Sequence, residues 1–152
     1  MEESDNMLII SVEVGQPIEG QNMGIGITAQ NTQSQICAAW VLKERSTGSV
    51  TLDHFLALQL ALYKIMAQGW LYITIQTSCF QVLQLIKSQA SRDIRLAAHL
   101  EDIRDISSMF RRCSFDSLPV EGNRISNRLS KIAMHIHFDE EFLDPRCLNT
   151  LL

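Results

Sequence analysis

The hydrophobic pattern changes period at Leu52, and this constrains the fold more than any other feature of the chain. Before that point, LIISVEV (8–14), MGIGITAQN (23–31) and SQICAAWVLKE (34–44) are β-branched, partly alternating runs joined by short polar connections, the pattern of strands. They predict a three-stranded meander. From Leu52 onward, Leu58, Ala61, Leu62, Ile65 and Met66 recur at helical spacing and Gly69 supplies a stop, which predicts a long, largely buried helix.

The pattern then alternates. WLYITIQT (70–77) returns to strand character, SCFQVLQLIKS (78–88) collects Val82, Leu83 and Ile86 on one helical face, and residues 91–112 form an amphipathic helix around Leu100, Ile103 and Ile106. A short strand, CSFDSL (113–118), leads through Pro119 and Gly122 to a last helix with Asn123 as N-cap and an Ile125, Leu129, Ile132, Ala133 stripe. The predicted order is β-β-β-α-β-α-α-β-α. A strand, helix, strand succession implies a parallel crossover, so the class is α/β with a five-stranded mixed sheet: three antiparallel strands plus two parallel, flanked by helices. In 152 residues, 46% of them apolar, there is enough core for one domain. The expected organisation is an extension over 1–7, a domain over 8–137 and a tail over 138–152.

Charge narrows the partners. A formal net charge of −4 gives no general footprint for nucleic acid, whose binding rests on Lys and Arg replacing counterions at phosphates. A local excess exists over 104–131, where Arg104, Arg111, Arg112, Arg124, Arg128 and Lys131 face Asp105, Asp116 and Glu121. The cysteines Cys37, Cys79, Cys113 and Cys147 form no C-x-x-C pair, and the opening MEESDN is acidic, which together predict an intracellular protein of cytoplasm or nucleus. The oily run 55–75 is divided by Gln59, Lys64 and Gln68-Gly69, so no membrane span is expected.

Four segments carry a resemblance to a known family. MGIGITAQN is similar to a G-x-G strand; HFLALQLALYKIMAQG to an A-E-x-x-A-L-x-x-A-L helix; IQTSCFQVLQLIKS to V-E-S-D-S-x-x-V-V-x-x-I-N; and SLPVEGNRISNRLSKIA to H-V-P-R-E-x-N-x-x-A-D-x-L-A-K-x-A. In this order they resemble the plant reverse-transcriptase-like RNase H domains related to retroelements, over roughly residues 8–135. The resemblance implies the RNase H fold and a site of converging carboxylates that hold two Mg²⁺ ions about 3.5–4 Å apart.

Matched residue by residue, the family's four acids fall on Glu13, His54, Ser78 and Asn127, with Gln76 where an additional Glu stands and Val120 in place of an Arg. Of the four, Glu13 alone bears a carboxylate. Neutral Ser and Asn oxygens are poor Mg²⁺ ligands, and Asp53 is rotated about 100° from His54 around the helix. The resemblance therefore implies a catalytically inactive, retroelement-derived domain that needs no cofactor and serves as a protein-binding or scaffold module. Two alternatives stay open: a weak, non-cleaving binder of RNA/DNA hybrid, and a residual nuclease working with Glu13, Asp53 and a different metal.

Other residues have a structural reading beside a functional one. His54 with Glu13 could ligate a softer metal, but a single His on a helix face is more simply structural. His135 and His137 beside Asp139, Glu140 and Glu141 read as a polar chain end rather than a metal site. Gly24 and Gly26 lie within a strand and read as a place of close backbone approach rather than a phosphate loop. Ser78 reads as a helix cap, and Cys79 as an unreactive, partly buried thiol.

Overall fold

The computed structural model describes residues 7–15, 22–88, 93–119, 124–133, 135 and 139–143. Its elements are β1 (Leu8–Gly15), β2 (Asn22–Gln30), β3 (Ile36–Arg45), α1 (Val50–Ala67), β4 (Tyr72–Thr77), α2 (Phe80–Ser88), α3 (Ile94–Ser107), β5 (Arg112–Ser117), α4 (Arg124–Ala133) and β6 (Glu140–Phe142). They build one sheet in the order β5-β4-β1-β2-β3-β6. The pairs β1–β2, β2–β3 and β3–β6 are antiparallel, whereas β4 is parallel to both β1 and β5. The mixed sheet and its order of elements are those expected.

The strand count is a correction: the sheet has six strands, not five. Glu140–Phe142, in the stretch read as a tail, pairs with Ala39–Val41 of β3. Side chains fasten it there, with the Trp40 indole donating to Glu141 Oε1 at 2.6 Å and the Lys43 amide donating to Asp139 Oδ1 at 2.9 Å. These bonds hold a short, acidic edge strand over the middle of β3, and short length and charge are devices that limit edge pairing.

The helical boundaries are tighter than the periodicity suggests. Helix α3 covers fourteen residues rather than 91–112: Asp93 caps its start by accepting from the Arg95 amide, and Ser108 ends it. Phe110 then turns into the core. Residues 91, 92 and the expected Asn123 cap lie outside the described residues. Helix α1 begins at Ser49, whose hydroxyl accepts from the Leu52 amide at 3.2 Å, and stops before Gly69 at φ 76°. Glycine takes that left-handed conformation without the strain a β-carbon would bring.

Alternation in the strands sends side chains to two faces. On one face, Ile10, Val12, Met23, Ile25, Ile27 and Trp40 pack beneath Phe55, Leu58, Leu62 and Ile65 of α1. Each such buried side chain contributes roughly 1.5–3 kcal/mol. By length and composition α1 could cross a membrane, but here its apolar side is core. On the other face, Ala39 and Val41 meet Leu129 and Ala133 of α4.

Helix α4 sits close because β2 has a glycine under it. A β-carbon at Gly26 would collide with the Ser126 carbonyl oxygen and stand 2.6 Å from the Ser130 amide nitrogen, both rigid main-chain atoms. The expected close approach is therefore found at Gly26. Gly26→Ala is predicted to lower stability by about 2–4 kcal/mol, within the range for overpacking and its backbone displacement. Urea titration followed by Trp fluorescence, together with amide exchange in α4, measures it; an unchanged midpoint would contradict the close packing.

Candidate functional site

The sheet places Glu13 on the α4 face. Val12 and Val14 face α1, so Ser11 and Glu13 between and beside them point the opposite way. Ser11 reaches Gln76 on β4, its hydroxyl 3.4 Å from Oε1. Register sets Glu13 opposite Gly26, the residue on which α4 rests. The carboxylate is consequently roofed by a helix and is 8% exposed.

The parallel ladder brings Ser78 to the same spot. Val12 pairs with Thr77, so the next residue of β4's chain emerges beside Glu13 and its side chain hydrogen-bonds the carboxylate. Glu13 Oε1 is buried and has no hydrogen-bond partner among the described residues. Burial raises the Glu13 pKa above the usual carboxylate value, and the Ser78 bond only partly offsets this.

Ser78 is not the helix cap that the sequence suggested. Helix α2 starts two residues later, and Cys79 holds the cap position, its carbonyl accepting the first helical bond from Leu83 at 3.2 Å. The Thr77 hydroxyl takes the Cys79 amide at 3.2 Å. Ser78 is thus released to bind Glu13. Cys79 itself is buried, as its reading required.

Asn127 lies on the first turns of α4, half-buried, with its carbonyl accepting from the Ser130 hydroxyl at 2.6 Å. Its neighbour Ser126 is the residue above Gly26. His54 sits in the first turn of α1 and is 6% exposed. Burial lowers its pKa to about 4, against an opposing pull from Asp53, so the ring is neutral at pH 7. The structure thus joins Glu13 to Ser78 and lays the helix of Asn127 over Glu13's strand partner. Among the described residues no hydrogen bond links His54 or the Asn127 amide to Glu13.

Asp53 is more deeply placed than the sequence suggested. It is fully buried, with Oδ2 accepting from the Ser46 hydroxyl at 2.6 Å and Oδ1 accepting from the Thr47 amide and hydroxyl at 2.8 and 2.7 Å. Its carboxylate organises the β3–α1 connection. The signal was legible in S-T-G-S followed by Asp, a run of donors with an acceptor four residues beyond.

The other candidates stay apart. His135 is exposed, His137 lies outside the described residues, and Asp139 and Glu141 are engaged with β3. Cys113 is a half-buried thiol that desolvation pushes up to about 12, far from reactive.

A six-stranded mixed sheet with this order, helices on both faces and a roofed acid on its central strand defines an RNase H-like domain. The family model described as "Reverse transcriptase-like" matches residues 18–133, and the chain belongs to that family. Similar solved structures are RNases H. RNase H1 of the halophilic archaeon Halobacterium salinarum aligns with a TM-score of 0.74 at 16% identity, covering 84% of this chain and 96% of that one. The N-terminal RNase H domain of a Mycobacterium tuberculosis protein aligns at 0.72 and 17% identity, covering 84% and 93%. A metagenomic RNase H1 in complex with an RNA/DNA hybrid aligns at 0.72 and 16% identity, covering 84% and 96%. No curated protein matches the sequence.

The fold family implies a pair of Mg²⁺ ions at this place, and the donors present do not fit them. Glu13 offers one free oxygen, while Ser78 and Asn127 are neutral and His54 is a poor ligand for so hard an ion. Among the described residues no three His, Cys, Asp or Glu side chains gather.

Two pH effects of opposite sign follow from these burials. His54 titrates near 4 folded and near 6.5 unfolded, so its contribution is complete above 6.5 and is lost as pH falls toward 4, on the order of 3 kcal/mol. Chemical denaturation of wild type and His54→Gln across that window should show the steeper decline in wild type; parallel curves would refute the burial. Glu13, raised above 4.5, contributes stability below its unfolded value and loses it as pH rises through its folded one. Glu13→Gln is expected to raise the melting temperature at pH 7, with the gain vanishing below pH 4.5.

Proposed function

We propose that this chain is a catalytically inactive RNase H-like domain of retroelement ancestry, retained as a protein-binding or scaffold module. The observation that carries this reading is the state of Glu13. It is the one carboxylate at the four matched positions, it is buried under α4, and its hydrogen-bond partner is a serine rather than a second acid. A carboxylate so placed is tolerated by a stable scaffold, whereas hydrolysis of a phosphodiester by two metals needs several converging acids. The acidic net charge supports a protein over a nucleic acid as partner. Free thiols at Cys37, Cys79 and Cys113 support an intracellular setting.

A second reading has one observation in its favour: the metagenomic RNase H1 of the same fold was crystallised with an RNA/DNA hybrid. The chain would then hold a hybrid without cutting it, using the basic excess of 104–131. Binding of that kind weakens steeply with salt. Fluorescence anisotropy at low salt distinguishes the two readings, and a saturable, salt-sensitive signal would favour the second.

Incubation of pure protein with a labelled hybrid in Mg²⁺ or Mn²⁺ is expected to give no product. Cleavage that disappears in Glu13→Ala would overturn the proposal. The triple variant His54→Glu, Ser78→Asp, Asn127→Asp is expected to gain Mg²⁺-dependent cleavage, because it returns acids to the positions that the resemblance matches. If the folded triple variant stays inert, the residue matching is wrong.

A further inference from the structure

The two edge strands of the sheet are β6, of three residues, and β5, of six. Arg112 donates its amide to the Leu71 carbonyl at 3.0 Å, and Leu118 donates to Thr77 at 2.9 Å. Main-chain groups of Arg112, Ser114 and Asp116 therefore turn toward β4, while those of Cys113 and Phe115 turn outward. Among the described residues no strand pairs with them. Two amides and two carbonyls in succession form a template for a further strand.

Beside this edge lies a cleft of about 350 Å³ between α2, α3 and β5. Its apolar wall is formed by Ile86, Leu100, Ile103 and Phe115, and its charged lining residues are Lys87 and Arg104. Both are exposed and both are basic. The acids of α3, namely Glu101, Asp102 and Asp105, do not line it; Asp102 instead accepts from Gln59 of α1. Asp116 projects from the opposite face of β5 and accepts from the Ser117 amide at 2.8 Å. Arg111 and Arg112, exposed at the start of the strand, add to the positive side.

We propose that the β5 edge and its cleft are a docking site for an extended acidic segment of a protein partner, added to the sheet as a further strand. Main-chain bonds to Cys113 and Phe115 supply the pairing. An apolar side chain of the peptide enters the cleft, and a carboxylate meets Lys87. Alternation along a strand lets one peptide do both, since side chains two residues apart share a face. The charge selects against basic segments, for which the same edge would be repulsive. The inference rests on the binding-module reading and names the surface that would serve it.

Selection of a random heptapeptide display library against the full chain tests the proposal, with each enriched peptide then labelled with fluorescein as the probe. Enriched sequences should alternate apolar residues and carry Asp or Glu. Lys87→Glu, an exposed change that leaves the core untouched, should weaken binding by about tenfold or more, as expected for reversing a charge that meets an acid. N-methylation of one alternate set of peptide amides should abolish binding, whereas methylation of the other set should spare it, because only one set faces β5. No enrichment, or peptides indifferent to both changes, would overturn the proposal. Hybrid cleavage by wild type would remove the binding-module reading and leave the peptide result standing, so the two failures are separable.

Discussion

The contact between α4 and Gly26 is the constraint on which the second face of the domain depends. A helix of ten residues closes that face, and it can do so only because β2 presents no side chain beneath Ser126 and Ser130. Proximity of this kind is all or nothing, since main-chain atoms cannot rotate away as a side-chain tip can. Leu129 and Ala133 then reach Ala39 and Val41. Through register, the same contact roofs Glu13. The acid is buried because of where the helix must sit, and its raised pKa is a consequence of packing.

Charge at this site is set by burial. A buried carboxylate with one unsatisfied oxygen and a buried neutral imidazole each cost stability in one charge state. Their pH dependences run in opposite directions, so neither acid nor alkaline conditions relieve both. An acid in place of Ser78, beside Glu13, would raise this cost in a metal-free protein. The neutral serine present there avoids it. Ser78 spends its hydroxyl on Glu13, an internal bond in the position where the family resemblance expects a ligand.

The sequence revealed whatever repeats along an element, and concealed whatever depends on a single long-range pairing. The three-stranded meander and α1 are visible because apolar period and burial coincide there: Leu58, Ala61, Leu62 and Ile65, read as one stripe, are all fully buried. Strand β6 has three residues, two of them glutamates, and carries no alternation to read; it exists because Trp40 and Lys43 offer donors to Glu141 and Asp139 across the sheet. The cap of α2 was misplaced by one residue, at Ser78 rather than Cys79, for the opposite reason. A serine at a helix start is a good cap on propensity alone, but whether its hydroxyl turns inward along the helix or outward to Glu13 is decided by the β1–β4 register, which local sequence does not encode. Asp53 illustrates both sides: its rotation away from the His54 stripe is correct, and its complete burial arises from a loop whose donors fold back onto it.

The two edges of the sheet show how the protein handles unpaired main chain in different ways. At β3, acidic β6 is fastened by an indole and an amide, so negative charge is brought to that edge and held. At β5, positive charge flanks an open cleft, and the strand is short. Short length and charge are common devices against uncontrolled edge pairing, and at β5 they would limit association to segments that are brief and acidic. The charge that protects an edge from most partners thereby defines the few it can accept. Selectivity of this kind resides in backbone geometry and lysine placement, at an edge two strands away from β1, which carries Glu13.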